Sequence, residues 1–283
     1  MKRVAVLGGT GMAGHVAVAY LEERGYDVFF TSRSAPDSFR SRSIDAADIF
    51  ALCGWLDEVR PDVVLNCIGI LQREADDRPD RAVLLNSYLP HYLARKYGDT
   101  CTRVVHLSTD CVFSGRRGGY LEADFADGET MYDRTKALGE IVNDKDLTFR
   151  MSIIGPDCSE NGTGLFNWFM KQRGVVRGFT KAIWNGVTTI ELARAVDCAI
   201  GQNLSGLYHL TPERAIDKYS LLLLFKDAFG RTDIEIEPDD SFAVDKTLVN
   251  TRDDFDFEIS SYSVQVGEMQ EWVAGRFGVY PHY

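Results

Sequence analysis

No apolar run in the sequence approaches the ~20 residues needed to span a bilayer; the longest, Val16 to Leu21, is far shorter. Met1-Lys2-Arg3 is basic but leads into a glycine cluster rather than the apolar core of an export signal. Six cysteines (Cys53, Cys67, Cys101, Cys111, Cys158 and Cys198) form no CxxC pair and no zinc-like spacing, so they read as reduced thiols. His15, His91, His106, His209 and His282 fall at no metal-ligating spacing either, and His106, in an apolar run, reads as packed. There is no internal repeat and no low-complexity segment. An excess of 42 acids over 31 bases, net charge −11, argues against broad nucleic-acid binding. The expectation from these absences is a cytoplasmic chain with no membrane, metal or nucleic-acid partner.

What is present is globular. Hydrophobic residues make up 45% of 283, too many for a disordered chain, and the length suits a nucleotide-binding domain with a smaller lobe. Arg3 to Leu7 is a buried-strand run ending in glycines, followed by a helical pattern closed at Gly25. Further strands are expected at Val28–Thr31, Asp62–Cys67, Arg103–Leu107 and Leu147–Met151. Helices are expected at Phe50–Val59, Ala82–Tyr97 and Thr130–Val142. This βαβ alternation predicts a Rossmann-type, doubly wound parallel α/β sheet over residues 1–155. Residues 156–283 read mainly as a discontinuous lobe, with about 187–210 returning to the first domain. The lobe offers short pieces, helices at Thr189–Ile200, Tyr219–Phe229 and Ser263–Ala274, and a strand at Gly206–Leu210. Ten acids against two bases between Asp233 and Glu258 read as a solvated acidic face.

Gly8-Gly9-Thr10-Gly11-Met12-Ala13-Gly14 follows the first strand and opens the first helix. Glycines at 8, 11 and 14 permit a tight turn, close approach of backbone to a pyrophosphate and close helix–strand packing. Phe30-Thr31-Ser32-Arg33 ends the second strand without the acid that accepts from a ribose 2′-hydroxyl, and Arg33 suits a 2′-phosphate. NADP(H) is therefore expected, with NAD(H) as the alternative. Tyr132 and Lys136, four residues apart on a predicted helix, share one face. An ammonium one turn away would lower the phenol pKa and suit it to acid–base work. Thr109, at the end of a strand, can place a hydroxyl beside that phenol, and Asn66-Cys67-Ile68-Gly69 ends the neighbouring strand.

VAVLGGTGMAG (4–14), DVVLNCIG (62–69), LSTDCVFSG (107–115), YDRTKALGE (132–140) and FRMSIIGP (149–156) together resemble the extended short-chain dehydrogenase/reductases, most of all the dTDP-4-dehydrorhamnose reductase group of nucleotide-sugar reductases. The resemblance covers about the first 160 residues. It implies that Thr109 polarises a substrate carbonyl, Tyr132 donates the proton, and Lys136 tunes the tyrosine and holds the nicotinamide ribose. It places Asp45 near the adenine, Asn86 under the active site, and Ile154 in the turn from the nicotinamide to the substrate lobe. Asp110, Trp184 and Arg252 become candidates for substrate contact. The ligand cations would come from Lys171, Arg173, Arg177, Lys181 and Arg252. Asn161 to Phe169 reads as a loop and helix start over the active site, with Phe166, Trp168 and Phe169 as core residues at helical spacing in preference to a lid contacting the sugar.

The chain departs from the rhamnose reductases at Cys111, at Ile153 and across Ala182 to Thr189, positions that border the sugar in the family. The expected activity is NADP(H)-dependent reduction of a nucleotide-activated 4-keto-6-deoxysugar in polysaccharide biosynthesis, by a possible homodimer. Two rivals stay open: an epimerase or dehydratase with tightly held NAD, and a non-catalytic regulatory subunit similar to that of methionine adenosyltransferase.

Overall fold

The computed structural model describes residues 1–283. The chain opens with β1 (Arg3–Leu7), α1 (Met12–Glu23), β2 (Asp27–Ser32), β3 (Ser41–Ser43), α2 (Ile49–Val59) and β4 (Val63–Asn66). Then come α3 (Gln72–Asp77), α4 (Pro79–Ala82), a π-helical turn at Val83–Tyr88, α5 (Leu89–Tyr97), β5 (Arg103–Leu107), α6 (Met131–Leu138) and β6 (Leu147–Arg150). The rest comprises β7 (Ile153–Ile154), α7 (Leu165–Met170), β8 (Gly174–Trp184), β9 (Val187–Thr188), α8 (Thr189–Gln202), β10 (Gly206–His209), β11 (Ile216–Asp217), α9 (Lys218–Ala228), β12 (Ile234–Asp245) and α10 (Tyr262–Ala274).

Seven strands form a parallel sheet in the order β10-β6-β5-β4-β1-β2-β3. The central strands β1 and β4 are buried along nearly their whole length because both faces are covered, whereas the edge strand β3 is the polar Ser41-Arg42-Ser43. In β1, Val4 and Val6 enter a core shared with α1 and α8, while Ala5 and Leu7 enter a second core with α2 and α5. Alternation along one strand thus feeds two layers of helices. β10 lies far along the chain yet pairs with β6, and α8 packs beside α1.

The acidic stretch is solvated as expected, and it also contains a strand that the sequence pattern does not predict. Residues Ile234–Asp245 form a twelve-residue strand parallel to β8. Ile234 and Ile236 are buried while Glu235 and Glu237 face outward, so the charges occupy the wet side of a half-buried strand. The register slips between Asp239 and Ala243, a bulge beyond which the strand carries Asp245 toward the site. A third core, with Phe166, Phe169, Phe225 and Trp272, fills this lobe. Trp168, expected inside, is 42% exposed; it lies on the outer face of α7.

Candidate active site

β1 delivers the chain into Gly8, whose φ of +80° is the left-handed conformation glycine adopts without strain. A Cβ at Gly14 would lie 2.1 Å from the Gly8 carbonyl oxygen, and one at Gly9 would lie 2.6 Å from Phe30. The turn can fold this tightly only without those side chains. Gly11 is the N-cap of α1 and supplies no capping side chain, so the first amides of the helix have no partner one turn back. They and the helix dipole favour an anion at this point.

The turn walls a cavity of about 270 Å³. Gly8, Thr10, Gly11, Arg33, Asp45, Cys67, Ile68 and Gly69 all line it, as the sequence predicts for a cofactor site. Arg33 is exposed at its rim. Asp45 is engaged by a residue that the sequence did not suggest: Arg81 Nη2 donates to both carboxylate oxygens, at 2.7 and 2.8 Å. That contact holds the Asp45 carboxyl below its usual range. Arg81 also lines the cavity. The glycine cradle, the uncapped helix start and the rim arginine fit a dinucleotide. Gly14→Ala drives a methyl into the Gly8 carbonyl. Overpacking of about 1–3 kcal/mol, if it falls on the bound turn, corresponds to a loss of cofactor affinity of about 5- to 150-fold. Titration of the nicotinamide cofactor checks this, and unchanged affinity would remove the cradle from the site.

Other predicted residues support the cavity without lining it. Asn86, in the π-helical turn, accepts from the Ile70 amide at 2.7 Å and donates to the Ile70 carbonyl at 3.0 Å and to Thr135 Oγ1 at 3.1 Å. It braces the loop after β4 against α6. Asn66 Oδ1 accepts from the Ile68 amide at 3.2 Å, and its Nδ2 donates to His106 Nδ1 at 3.1 Å. Met12 lies against Gly164, whose Cβ would sit 3.1 Å from its sulfur. Ile154 is packed in the lobe core.

Tyr132 and Lys136 lie on α6, whose start is fixed by a reciprocal cap. The Asp133 amide donates to Thr130 Oγ1, and the Thr130 amide to Asp133 Oδ2, each at 3.1 Å. Thr109 is pinned because the flanking amides of Ser108 and Asp110 donate to the Phe149 and Met151 carbonyls. Its hydroxyl donates to Asp110 Oδ1 at 3.1 Å. Burial pushes the Tyr132 pKa above its ordinary value, nearby Cys111 adds to the rise, and hydrogen bonding by Thr109 works the other way. Burial also lowers Lys136, to about 8. Its ammonium donates to the Leu107 carbonyl at 2.6 Å and lies 3.4 Å from His106 Nε2. The expected lowering of the phenol by Lys136 is therefore absent here: the ammonium is turned to the end of β5, and burial dominates. The phenol keeps its proton at neutral pH.

Behind Thr109 lies a buried ion pair. Glu140 Oε1 accepts from Ser108 Oγ at 2.6 Å and Arg150 Nε at 2.8 Å, and Oε2 accepts from Arg150 Nη2 at 2.5 Å. Arg150 Nη1 reaches His209 Nε2 at 2.9 Å, and its guanidinium lies 4.9 Å from the centre of the Phe113 ring. The ends of β5, β6 and β10 are thereby joined.

Two predicted substrate residues are placed differently. Arg252 Nη1 donates to the Ser205 and Leu207 carbonyls at 2.7 and 2.9 Å, and Nε to Asp254 at 2.9 Å. It clamps the start of β10, at the sheet end opposite the strand termini that carry Thr109. Trp184 is 5% exposed, covered by Tyr262 and Lys218, so its ring offers no open stacking face. Asp110 is buried beside Thr109.

Residues 1–247 match the family model described as RmlD substrate binding domain. The spore coat polysaccharide biosynthesis protein SpsK of Bacillus subtilis is 26% identical, over 75% of this chain and 74% of that protein. A dTDP-4-dehydrorhamnose reductase of Mycolicibacterium smegmatis is 31% identical over 49% of this chain and 40% of its own length. Relatives above 30% identity are matched over about half their length, between 40% and 52%. Among solved structures, the dTDP-4-dehydrorhamnose reductase of Bacillus anthracis in complex with NADP superposes with a TM-score of 0.80 at 18% identity, covering 95% of this chain and 98% of that one. Since the family model spans both the glycine turn and the strand ends that carry Thr109 and Arg150, the chain belongs to the RmlD substrate binding domain family.

Proposed function

We propose that the protein is an NADP(H)-dependent reductase of a nucleotide-activated 4-keto-6-deoxysugar, with Tyr132 as proton donor. The observation that carries the reading is the convergence of Thr109, Tyr132 and Lys136 next to the glycine-turn cavity. Lys136 is near enough to feel Cys67, which lines that cavity. The relatives named as nucleotide-sugar reductases support the same reaction class.

The dinucleotide would rest on the turn from Gly8 to Gly14, with Arg33 at its 2′-phosphate and Asp45 with Arg81 near its adenosine end. When bound, it supplies the hydride. Thr109 orients and polarises the substrate carbonyl. Tyr132 holds a proton on its phenolic oxygen, ready for the oxygen of the reduced ketone. Lys136 keeps a positive charge beneath this pair, and Glu140 stabilises that charge. The low exposure of all three excludes water, which strengthens each electrostatic contact.

Offering dTDP-, UDP- and GDP-linked keto sugars to the protein with NADPH tests the reading. One of them is expected to drive NADPH oxidation, and no oxidation with any would overturn it in favour of a regulatory or internally redox-neutral role. Arg33→Ala is expected to weaken NADPH by about 10- to 100-fold, the loss of a charge-assisted contact of about 1.5–3 kcal/mol. NADH should be nearly unaffected. Equal losses for both cofactors would remove Arg33 from the 2′-phosphate.

A further inference from the structure

The lobe cations suggested by sequence are mostly engaged: Arg173 by Asp233, Arg177 by Asp239, Lys181 by Asp240 and Arg252 by Asp254. Two other lysines differ from them. Lys218 is the first residue of α9, directly after its N-cap Asp217. Its Nζ lies 4.6 Å from the centre of the Trp184 ring. Lys246 follows β12, with its stem against Gly115, where a Cβ would come within 2.8 Å. Both are half-buried, and neither ammonium makes an ion pair or a hydrogen bond.

Their positions are built. Asn185 donates to the Leu248 carbonyl at 2.7 Å and accepts from its amide at 3.0 Å. The Asp245 amide donates to the Gly115 carbonyl and the Tyr120 amide to the Thr247 carbonyl. The segment bearing Lys246 is thus sewn to the loop that follows Thr109. Both lysines act on Asp110, opposing the upward push of burial on its carboxyl. Two ammonium groups facing one carboxylate leave one positive charge in excess. Desolvating an ammonium without a hydrogen-bonded partner is costly, and a ligand anion would offset that cost.

We propose that Lys218 and Lys246 form the subsite for an anionic group of the substrate, beside the carbonyl position at Thr109. The group is the diphosphate of a nucleotide-sugar or a carboxylate on its ring. That its ligand is the substrate rests on the reductase reading; that it binds an anion does not. As a diphosphate site the two lysines would hold any nucleotide-activated sugar, and as a ring-carboxylate site they would select acidic sugars.

Calorimetric titration of the full chain with dTDP, and separately with glucuronate, tests the subsite in the wild type, Lys218→Gln and Lys246→Gln. Each variant is expected to bind one probe about tenfold or more weakly, with NADPH affinity retained as the check on folding. Loss for dTDP assigns the anion to the diphosphate, and loss for glucuronate assigns it to a ring carboxylate. Equal probe affinities in wild type and both variants overturn the subsite, as does a wild type that binds neither probe. Lysine-dependent probe binding in a protein that oxidises NADPH with no keto sugar would uphold the subsite and remove only the reductase reading.

Discussion

Tyr132→Phe is expected to lower kcat by about 10²- to 10⁴-fold, the range of a lost general acid, with NADPH binding nearly unchanged. The ring belongs to the second sheet core, and phenylalanine keeps that packing, so the substitution removes the hydroxyl alone. Steady-state kinetics with the active keto sugar, beside a cofactor titration, separates the two quantities. Near-wild-type turnover would exclude Tyr132 as donor. The same site predicts an alkaline limb. The phenol stays protonated across neutral pH because burial dominates it, so the group that titrates first is Lys136, at about 8. Activity should fall as pH rises through that value. Stability moves the opposite way. The folded pKa is depressed from 10.5, so between about 8 and 10.5 the unfolded chain binds the proton that the native site releases. This contribution is complete above 10.5 and is lost as pH falls through about 8. A rate profile still rising beyond pH 9 would contradict the assignment.

Glu140→Gln is expected to destabilise the fold by about 3–5 kcal/mol, because Arg150 would remain buried without its counter-charge. Arg150 is 3% exposed and the Glu140 side chain 8%, so water cannot replace the lost partner. At about 2–4 °C per kcal/mol for a chain of this order of size, calorimetry should record a clear fall in Tm. Removing both charges together, as Glu140→Leu with Arg150→Met, should recover much of the loss, since replacing a whole buried pair by apolar side chains is often neutral. A single-variant cost below about 1 kcal/mol, the value of a surface pair, would show that the pair is not the brace behind Ser108 and Thr109.

The first half of the fold was legible because each of its signals is local. A four- or five-residue apolar run, a glycine stop and a helical period occupy one short window each, and residues just past a parallel strand must face the crevice at its carboxyl end. Gly8, Ile68 and Thr109 stand just past the ends of β1, β4 and β5 for that reason. The lobe is built otherwise. β8 and β12 pair about sixty residues apart, at Gly174 with Ile234, and only Ile234 and Ile236 mark the buried side of β12 before acids take over. No local pattern reports such pairing. Arg81 was missed because its approach to Asp45 crosses from one helix to another loop. Lys218 carries no local signature because its position over the Trp184 ring is set by tertiary packing. Arg252 misled because a charge in a loop looks the same in sequence whether it meets a ligand or two backbone carbonyls.

The late arrival of β10 has a consequence for synthesis on the ribosome. The core beneath Val4 and Val6 also contains Val196, Tyr208 and Phe255. A nascent chain that has emerged only through β6 holds the whole glycine turn after β1 and the tyrosine–lysine pair, yet lacks the α8 and β10 side chains that cover that face of β1 and α1. Sealing of that face must therefore wait for segments that reach into the last quarter of the chain, Tyr208 of β10 and then Phe255. During that interval the exposed strand edge and apolar layer are the surfaces a chaperone would hold.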